Sequence, residues 1–238
     1  MALMRRAAVV VALVAVALSG SGCDSTPTAP TDYAPFSKTD LVLGTGTEAV
    51  AGLLVRVDYT GWFYDPGQTA QKGVQFETSL GSTPITFQLG AGQVIAGWDQ
   101  GIVGMKVGGR RRLIIPPSLA YGYNRYGSIP GNTTLVFDVD LVAAGTAPTV
   151  TTNPEGVTVT LGQAATFTAA AESDPAPAVQ WQVSTDGGTT WTTIDGATAT
   201  TYTFVPQLSD SGNEYRAVFT NSVGYTITSA ATLVVNGG

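Results

Sequence analysis

The sequence predicts two β-rich domains of different design: an α+β domain in which a twisted antiparallel sheet wraps one short helix, followed by an all-β sandwich. Three observations carry this. The runs LLVRVDYTGWFY (53–64), RRRLIIPP (110–117) and TLVFDVDLV (134–142) alternate with a β-branched and aromatic bias, as half-buried strands do. Between the first two, Val94, Ile95, Trp98, Ile102 and Met105 recur at helical spacing. From 148 to 236 the chain breaks into short alternating stretches separated by turn residues, the pattern of a sandwich.

Taken in order, the first element is a targeting segment, residues 1–22. Arg5 and Arg6 supply a positive start, and Ala7 to Leu18 form an apolar run too short to span a bilayer comfortably. Cys23 follows it and is the only cysteine, so no intramolecular disulfide can form. A lone Cys in this place resembles the lipid-attachment site of bacterial lipoproteins, although Gly20 stands where those usually have Leu and Leu18 lies two residues earlier. The expectation is an exported protein of a bacterial cell envelope, anchored to the membrane by lipid on Cys23; the alternative is ordinary cleavage that leaves a free thiol. Residues 23–37 are rich in Ser, Thr, Pro and Asp without periodicity and read as a solvated tether.

The first domain is expected over 38–144. Its helix is intrinsically poor, because Gly97, Gly101 and Gly104 each cost ~1 kcal/mol against Ala, so tertiary contacts must hold it. Asp138 and Asp140 fall on one strand face; with no acid or base motif beside them they read as solvated edge charges rather than a catalytic pair. The small, turn-favouring AAGTAP at 143–148 marks a seam, with 145–147 as linker and 148–238 as the second domain. There DGG at 186–188 signals a hairpin.

Composition excludes several functions. With 44% hydrophobic and 12% charged residues the chain can build real cores. Its formal charge of −6 repels phosphate backbones, and Arg110 to Arg112 is too short a basic run for a nucleic-acid surface, so no nucleic-acid partner is expected. The sequence contains no His, which removes His-based triads, the usual zinc sites and the commonest general base. Gly44 with Gly46, and Gly90 with Gly92, lack the third Gly and following long helix of a nucleotide fingerprint. Neither cofactor nor metal is expected.

VDYTGW (57–62), FETS (76–79), VIAGW (94–98), AYGY (120–123) and TLVFDVDL (134–141), in that order, resemble the FKBP-type peptidyl-prolyl isomerases. The resemblance implies an FKBP-like fold and a pocket floored by Trp98 and walled by Tyr59, Phe76, Ile85, Phe87, Val94, Ile95, Ile129 and Phe137. It implies that Tyr121 offers its hydroxyl, and Ile95 its backbone N–H, to carbonyls flanking a proline. Glu77 stands where the family usually has Asp, Ile85 where an aromatic is frequent, and the loop after Tyr121 is about one residue shorter, with Arg125 and Tyr126 near the place of a usual His. The implied partners are X-Pro-containing unfolded or folding polypeptides and macrolide inhibitors. Such chemistry needs no imidazole, since rotation about an amide moves no proton. Taken singly, these aromatics are core residues before they are site residues, and a non-catalytic module that binds proline segments or a cell surface is the rival reading.

In the second domain, Trp181 followed by DSGNEYRAVFTN (210–221) resembles an immunoglobulin-like domain, with Tyr215 at the tyrosine corner and Ala169 and Ala217 where that family often has its cystine. No catalytic constellation is visible there. A spacer or weakly adhesive role is the plain expectation, and the sequence identifies no carbohydrate or protein ligand.

Overall fold

The computed structural model describes residues 33–238; the expected signal peptide, Cys23 and most of the tether lie outside the described residues. The chain divides into two compact units, one up to Val142 and the other Ala143–Gly238.

The first unit contains β1 (Ser37–Val42), β2 (Leu54–Tyr64), β3 (Lys72–Thr78), β4 (Ile85–Gln88), helix α1 (Ala96–Gly101), β5 (Arg110–Ile115) and β6 (Leu135–Gly145), whose last three residues fall in the second unit. The strand order is β1-β5-β6-β2-β3, with β4 also paired to β2. The eleven-residue β2 is shared: its first half pairs antiparallel with β4 and its second half with β3. Alternation sends Val55, Val57 and Tyr59 of β2, Leu113 and Ile115 of β5, and Phe137, Val139 and Leu141 of β6 into one core, all at most 5% exposed.

Helix α1 is shorter than the expected span. Val94 lies in a bend and Ile95 in extended backbone before it, Ile102 caps its end, and Met105 lies beyond Gly104, whose φ of +81° is left-handed and stops the helix. Its glycines allow close contact with the sheet: a Cβ on Gly97 would collide with Ile115, and one on Gly101 would meet Leu113 at 2.6 Å. The residues that weaken the helix locally are thus the ones that let Trp98, fully buried, reach the core.

Asp138 and Asp140 are not edge charges. They lie on β6, an interior strand of the sheet, and both are ion-paired. Asp138 accepts from Arg112 Nε at 2.7 Å and from Lys72 Nζ, whose ammonium sits 3.8 Å above the Trp62 ring. Burial pushes its pKa up, but these hydrogen bonds outweigh that and hold it below the usual carboxylate range. Arg110 pairs with Asp140 at 2.7 Å, and Arg111 with Asp40 at 2.6 Å while also donating to the carbonyls of Gly101 and Val103. The basic run is therefore neutralised within the fold.

The second unit comprises β7 (Thr149–Thr152), β8 (Val157–Thr160), β9 (Ala165–Thr168), β10 (Ala170–Glu172), β11 (Ala178–Ser184), β12 (Thr192–Thr193), β13 (Thr201–Phe204), β14 (Glu214–Thr220), β15 (Tyr225–Ile227) and β16 (Ala231–Asn236). One sheet runs β12-β11-β14-β16-β8, with β15 beside β14; β13 pairs with β9 and β10 with β7. The turn at 186–188 connects the antiparallel β11 and β12, with Gly187 and Gly188 both at positive φ. Phe167 from β9, Trp181 from β11, Tyr215 and Phe219 from β14 and Leu233 from β16 share one core. Trp181 is fully buried and donates its indole N–H to the Ala199 carbonyl at 2.9 Å.

Candidate active site

The site is assembled by β2, β3, the entrance to α1 and the loop between β5 and β6. Period-two alternation on β2 would leave Gly61 facing inward with Tyr59, and it does: a Cβ there would meet Phe76 Cζ at 2.7 Å and Phe137 Cε1 at 2.8 Å. The missing side chain is space filled by two aromatic rings.

β3 then departs from regular pairing. Gly61 faces Glu77 and Trp62 faces Gln75, so Phe76 is an extra residue in a β-bulge. Adjacent residues of a regular strand point to opposite faces, yet the Phe76 ring packs edge-on against Phe137 at 5.7 Å while Glu77 hydrogen-bonds the Tyr59 hydroxyl. The bulge turns both inward. The backbone beneath is pinned from the same segment: Ser79 Oγ accepts from the Tyr59 N–H at 2.9 Å and donates to Asp58 at 2.8 Å, and the Ser79 N–H donates to the Tyr59 carbonyl.

Trp98 lies at the centre of the aromatic layer, perpendicular to Phe137 (5.3 Å, 90°), near-perpendicular to Tyr59 (5.0 Å, 79°) and tilted against Phe87 (6.0 Å). Edge-to-face geometry aims ring edges at ring faces and is favourable beyond the area buried. The indole Nε1 of Trp98 is buried without a hydrogen-bond partner among the described residues.

The predicted site residues differ in exposure. Trp98, Phe137, Ile129, Phe87 and Tyr59 are at most 5% exposed, so Trp98 is not an open floor. Phe76, Glu77, Ile85, Val94, Ile95 and Tyr121 are half-buried. A cavity of about 370 Å³ brings together Val94, Ile95 and Tyr121 with Gly92, Gln93, Ala96, Ser118, Leu119, Ala120 and Tyr126. Ile85 lies on β4 opposite Val57 and does not line it.

Ile95 sits at the N-cap of α1, where a helix has N–H groups left over; its own N–H makes no hydrogen bond among the described residues. The Tyr121 hydroxyl is pushed up to about 12 by burial first, then by the Glu77 charge and by Tyr126. Tyr59 is raised by burial and then by Glu77, to which it donates. Both phenols are therefore neutral donors at physiological pH, gathered around one carboxylate. Such a site can hold a carbonyl and exclude water.

Sequence patterning missed three contributors. Tyr126 stacks on Tyr121 with ring centroids 4.5 Å apart and an 11° interplanar angle, Phe63 stacks on Phe76 at 5.1 Å, and Ser79 ties β2 to the end of β3. Phe63 was visible as part of the β2 alternation, whereas the other two depend on a bulge and a loop closure that leave no periodic trace.

Residues 46–142 match the model of the family described as FKBP-type peptidyl-prolyl cis-trans isomerase, and residues 141–237 match one described as Domain of unknown function (DUF8696). The chain is 46% identical over 105 residues to an FK506-binding protein of Neisseria meningitidis serogroup B, covering 43% of this chain and 90% of that protein. It is 51% identical over 108 residues to an FK506-binding protein of Streptomyces anulatus (44% and 82% covered), and 42% identical over 109 residues to FK506-binding protein 1 of Gibberella zeae (45% and 96% covered). With the unit that carries the aromatic layer matching the family's model, and nearly the whole length of such relatives matched at this identity, the chain belongs to the FKBP-type peptidyl-prolyl cis-trans isomerases.

Proposed function

We propose that this isomerase works by holding a twisted X-Pro amide over the aromatic layer, with the proline ring received by Phe76, Val94 and Ile95 and the flanking carbonyls bound by the Tyr121 hydroxyl and the Ile95 N–H. The observation that supports this best is the meeting of Val94, Ile95 and Tyr121 at one cavity, with the Glu77 charge felt by both Tyr121 and Tyr59, and Tyr59 packed on Trp98 and Phe137. Amide rotation faces a barrier of ~18 to 20 kcal/mol because resonance must be broken, and X-Pro bonds interconvert over roughly tens to hundreds of seconds unaided. A turnover of ~10² to 10³ per second requires about 6 to 7 kcal/mol of barrier lowering at 1.36 per decade. Binding the less polar, twisted amide better than the planar one supplies it, and a water-poor aromatic site favours that form. In this scheme Glu77 holds Tyr59 by a hydrogen bond, and burial first, with the Glu77 charge second, raises the pKa of both phenols.

The test is cis/trans exchange of short X-Pro peptides with the full chain. Exchange well above the uncatalysed rate, nearly flat between pH 6 and 8, and a modest loss in Tyr121→Phe with the fold retained are expected. A folded Tyr121→Phe as fast as the parent removes Tyr121 from the mechanism. Exchange with a steep dependence on pH in that interval overturns the scheme without proton transfer.

The substrates we infer are unfolded or folding exported polypeptides, and a macrolide of the kind after which the relatives are named is expected to compete with them. The longer Glu77, beside Tyr59 and Tyr121, is the departure expected to alter that competition. The second unit is read as an immunoglobulin-like sandwich acting as a spacer, a reading supported by buried Trp181 and Tyr215 and by Ala169 and Ala217, both fully buried. Anchoring of the exported chain by lipid on Cys23 completes the proposal; mass spectrometry of the protein from membranes would find an acylated Cys23, and an unmodified thiol there overturns it.

A further inference from the structure

Tyr121 is the one hydroxyl given a direct part in the reaction, and its backbone is better fixed than its ring. The Gly122 N–H donates to the Pro117 carbonyl at 2.9 Å, and the Asn132 N–H to the Gly122 carbonyl at 2.9 Å, which places the Cα of Tyr121 at the cavity rim. Neither bond restrains the two torsions that aim the phenol. The ring is held by something else.

That contact is Tyr126. Its ring lies nearly parallel to that of Tyr121, 4.5 Å between centroids, and both residues line the same cavity. Tyr126 in turn is tied to the core. Its N–H donates to the Ile129 carbonyl and the Ile129 N–H donates back, both at 2.9 Å, and the Ile129 side chain is 1% exposed. Arg125 Nε closes the same turn on the Gly127 carbonyl at 3.0 Å. A continuous set of contacts therefore runs from the buried Ile129 through the Tyr126 backbone to its ring and on to the ring of Tyr121.

We propose that Tyr126 is a positioning residue for the isomerase reaction: by stacking on Tyr121 it keeps that phenol in the orientation that donates to the substrate carbonyl. The inference rests on the role given to Tyr121 above. It does not require Tyr126 to touch substrate. A flat stack restricts rotation about the Cα–Cβ bond of Tyr121 while leaving its hydroxyl at the ring edge free to donate, which an apolar side chain of equal volume would do less well. The same stack makes the short loop after Tyr121 part of the catalytic geometry rather than a connection.

The experiment is a double-mutant cycle on the full chain, with kcat and KM measured on an X-Pro tetrapeptide for the parent, Tyr121→Phe, Tyr126→Ala, Tyr126→Phe and the Tyr121→Phe/Tyr126→Ala pair. Tyr126→Ala is expected to lower kcat by about two- to tenfold, the range spanned by one aromatic pair, with KM changed less. Tyr126→Phe, which keeps the stacking ring, should restore most of that loss. In the Tyr121→Phe background, where there is no hydroxyl to aim, Tyr126→Ala should add less than about twofold. If Tyr126→Ala fails to fold, Tyr126→Leu replaces it, since Leu keeps apolar volume without a ring. An equal loss from Tyr126→Ala in both backgrounds, or a Tyr126→Phe as slow as Tyr126→Ala, overturns the proposal and leaves Tyr121 in place. A Tyr121→Phe as fast as the parent removes Tyr121's role and this inference with it.

Discussion

Glu77 reaches the Tyr59 hydroxyl from a position where the family usually carries the shorter aspartate, and its charge extends to Tyr121 as well. Glu77→Gln keeps a hydrogen-bond acceptor and removes the charge, so the pKa values of both phenols should fall toward the ordinary value together, as read from their ring-carbon NMR shifts. A change at Tyr59 alone would show that the three groups do not act as one cluster. The direction of the shifts also fixes a dependence of stability on pH. Both tyrosines hold their protons more tightly folded than unfolded, where the value is ~10. Their contribution is thus fully present below pH ~10 and is lost as pH rises from there through the folded value, about 12 for Tyr121. Denaturant titrations should show this alkaline loss in the parent and a smaller one in Tyr121→Phe. At this scale the motif order carried Tyr59, Phe76, Trp98 and Phe137, whose rings pack together, whereas the ring of Tyr121 stacks on Tyr126 instead. The sequence did not reveal that Trp98 is fully buried, since exposure within a cluster of rings depends on tenths of an ångström in their approach.

Among the elements, β2 and β3 give the sharpest test. Gly61→Ala would put a Cβ within 2.8 Å of the rings of Phe76 and Phe137. Overpacking of this kind costs about 1 to 3 kcal/mol and here must displace Phe76, so thermal melting of the first unit and kcat/KM should fall together. A variant with full activity and lowered stability would mean that Phe76 does not face the substrate. The strands themselves were legible because Val55, Val57 and Tyr59 alternate with polar neighbours. The bulge at Phe76 was not, for it inserts one residue without any composition of its own, and the helix was overread because Gly104 stops a pattern that hydrophobic spacing alone would continue to Met105. Asp138 and Asp140 were misplaced for a related reason: alternation shows that they share a face, but only strand order shows that the adjacent β5 sets Arg110 and Arg112 opposite them and that Lys72 reaches Asp138 from β3.

At the scale of the molecule, each unit has its own aromatic core, and every residue given a part in the reaction precedes Val142. A chain ending after Gly145, which preserves all of β6, should therefore keep its turnover on tetrapeptides, and Trp181→Ala should destabilise the second unit by ~3 to 5 kcal/mol without altering that turnover. Two calorimetric transitions, of which only one moves in Trp181→Ala, would check this; loss of tetrapeptide turnover on truncation would show that the second unit contributes to the site. The sequence carried the two-part organisation in its compositional seam at AAGTAP, whereas the exact change of unit inside β6 left no mark, because one continuous strand crosses it. The outer strands of the first sheet share a further property. β1 slips register at Leu41, β3 slips at Phe76, and β4 spans only four residues. An open, regular backbone row at a sheet border is a template on which another extended chain can pair, and irregular or brief borders present less of one. The kink that turns Phe76 and Glu77 inward thus also interrupts the exposed row of β3, so one local irregularity both builds the site and shortens the edge available for strand addition.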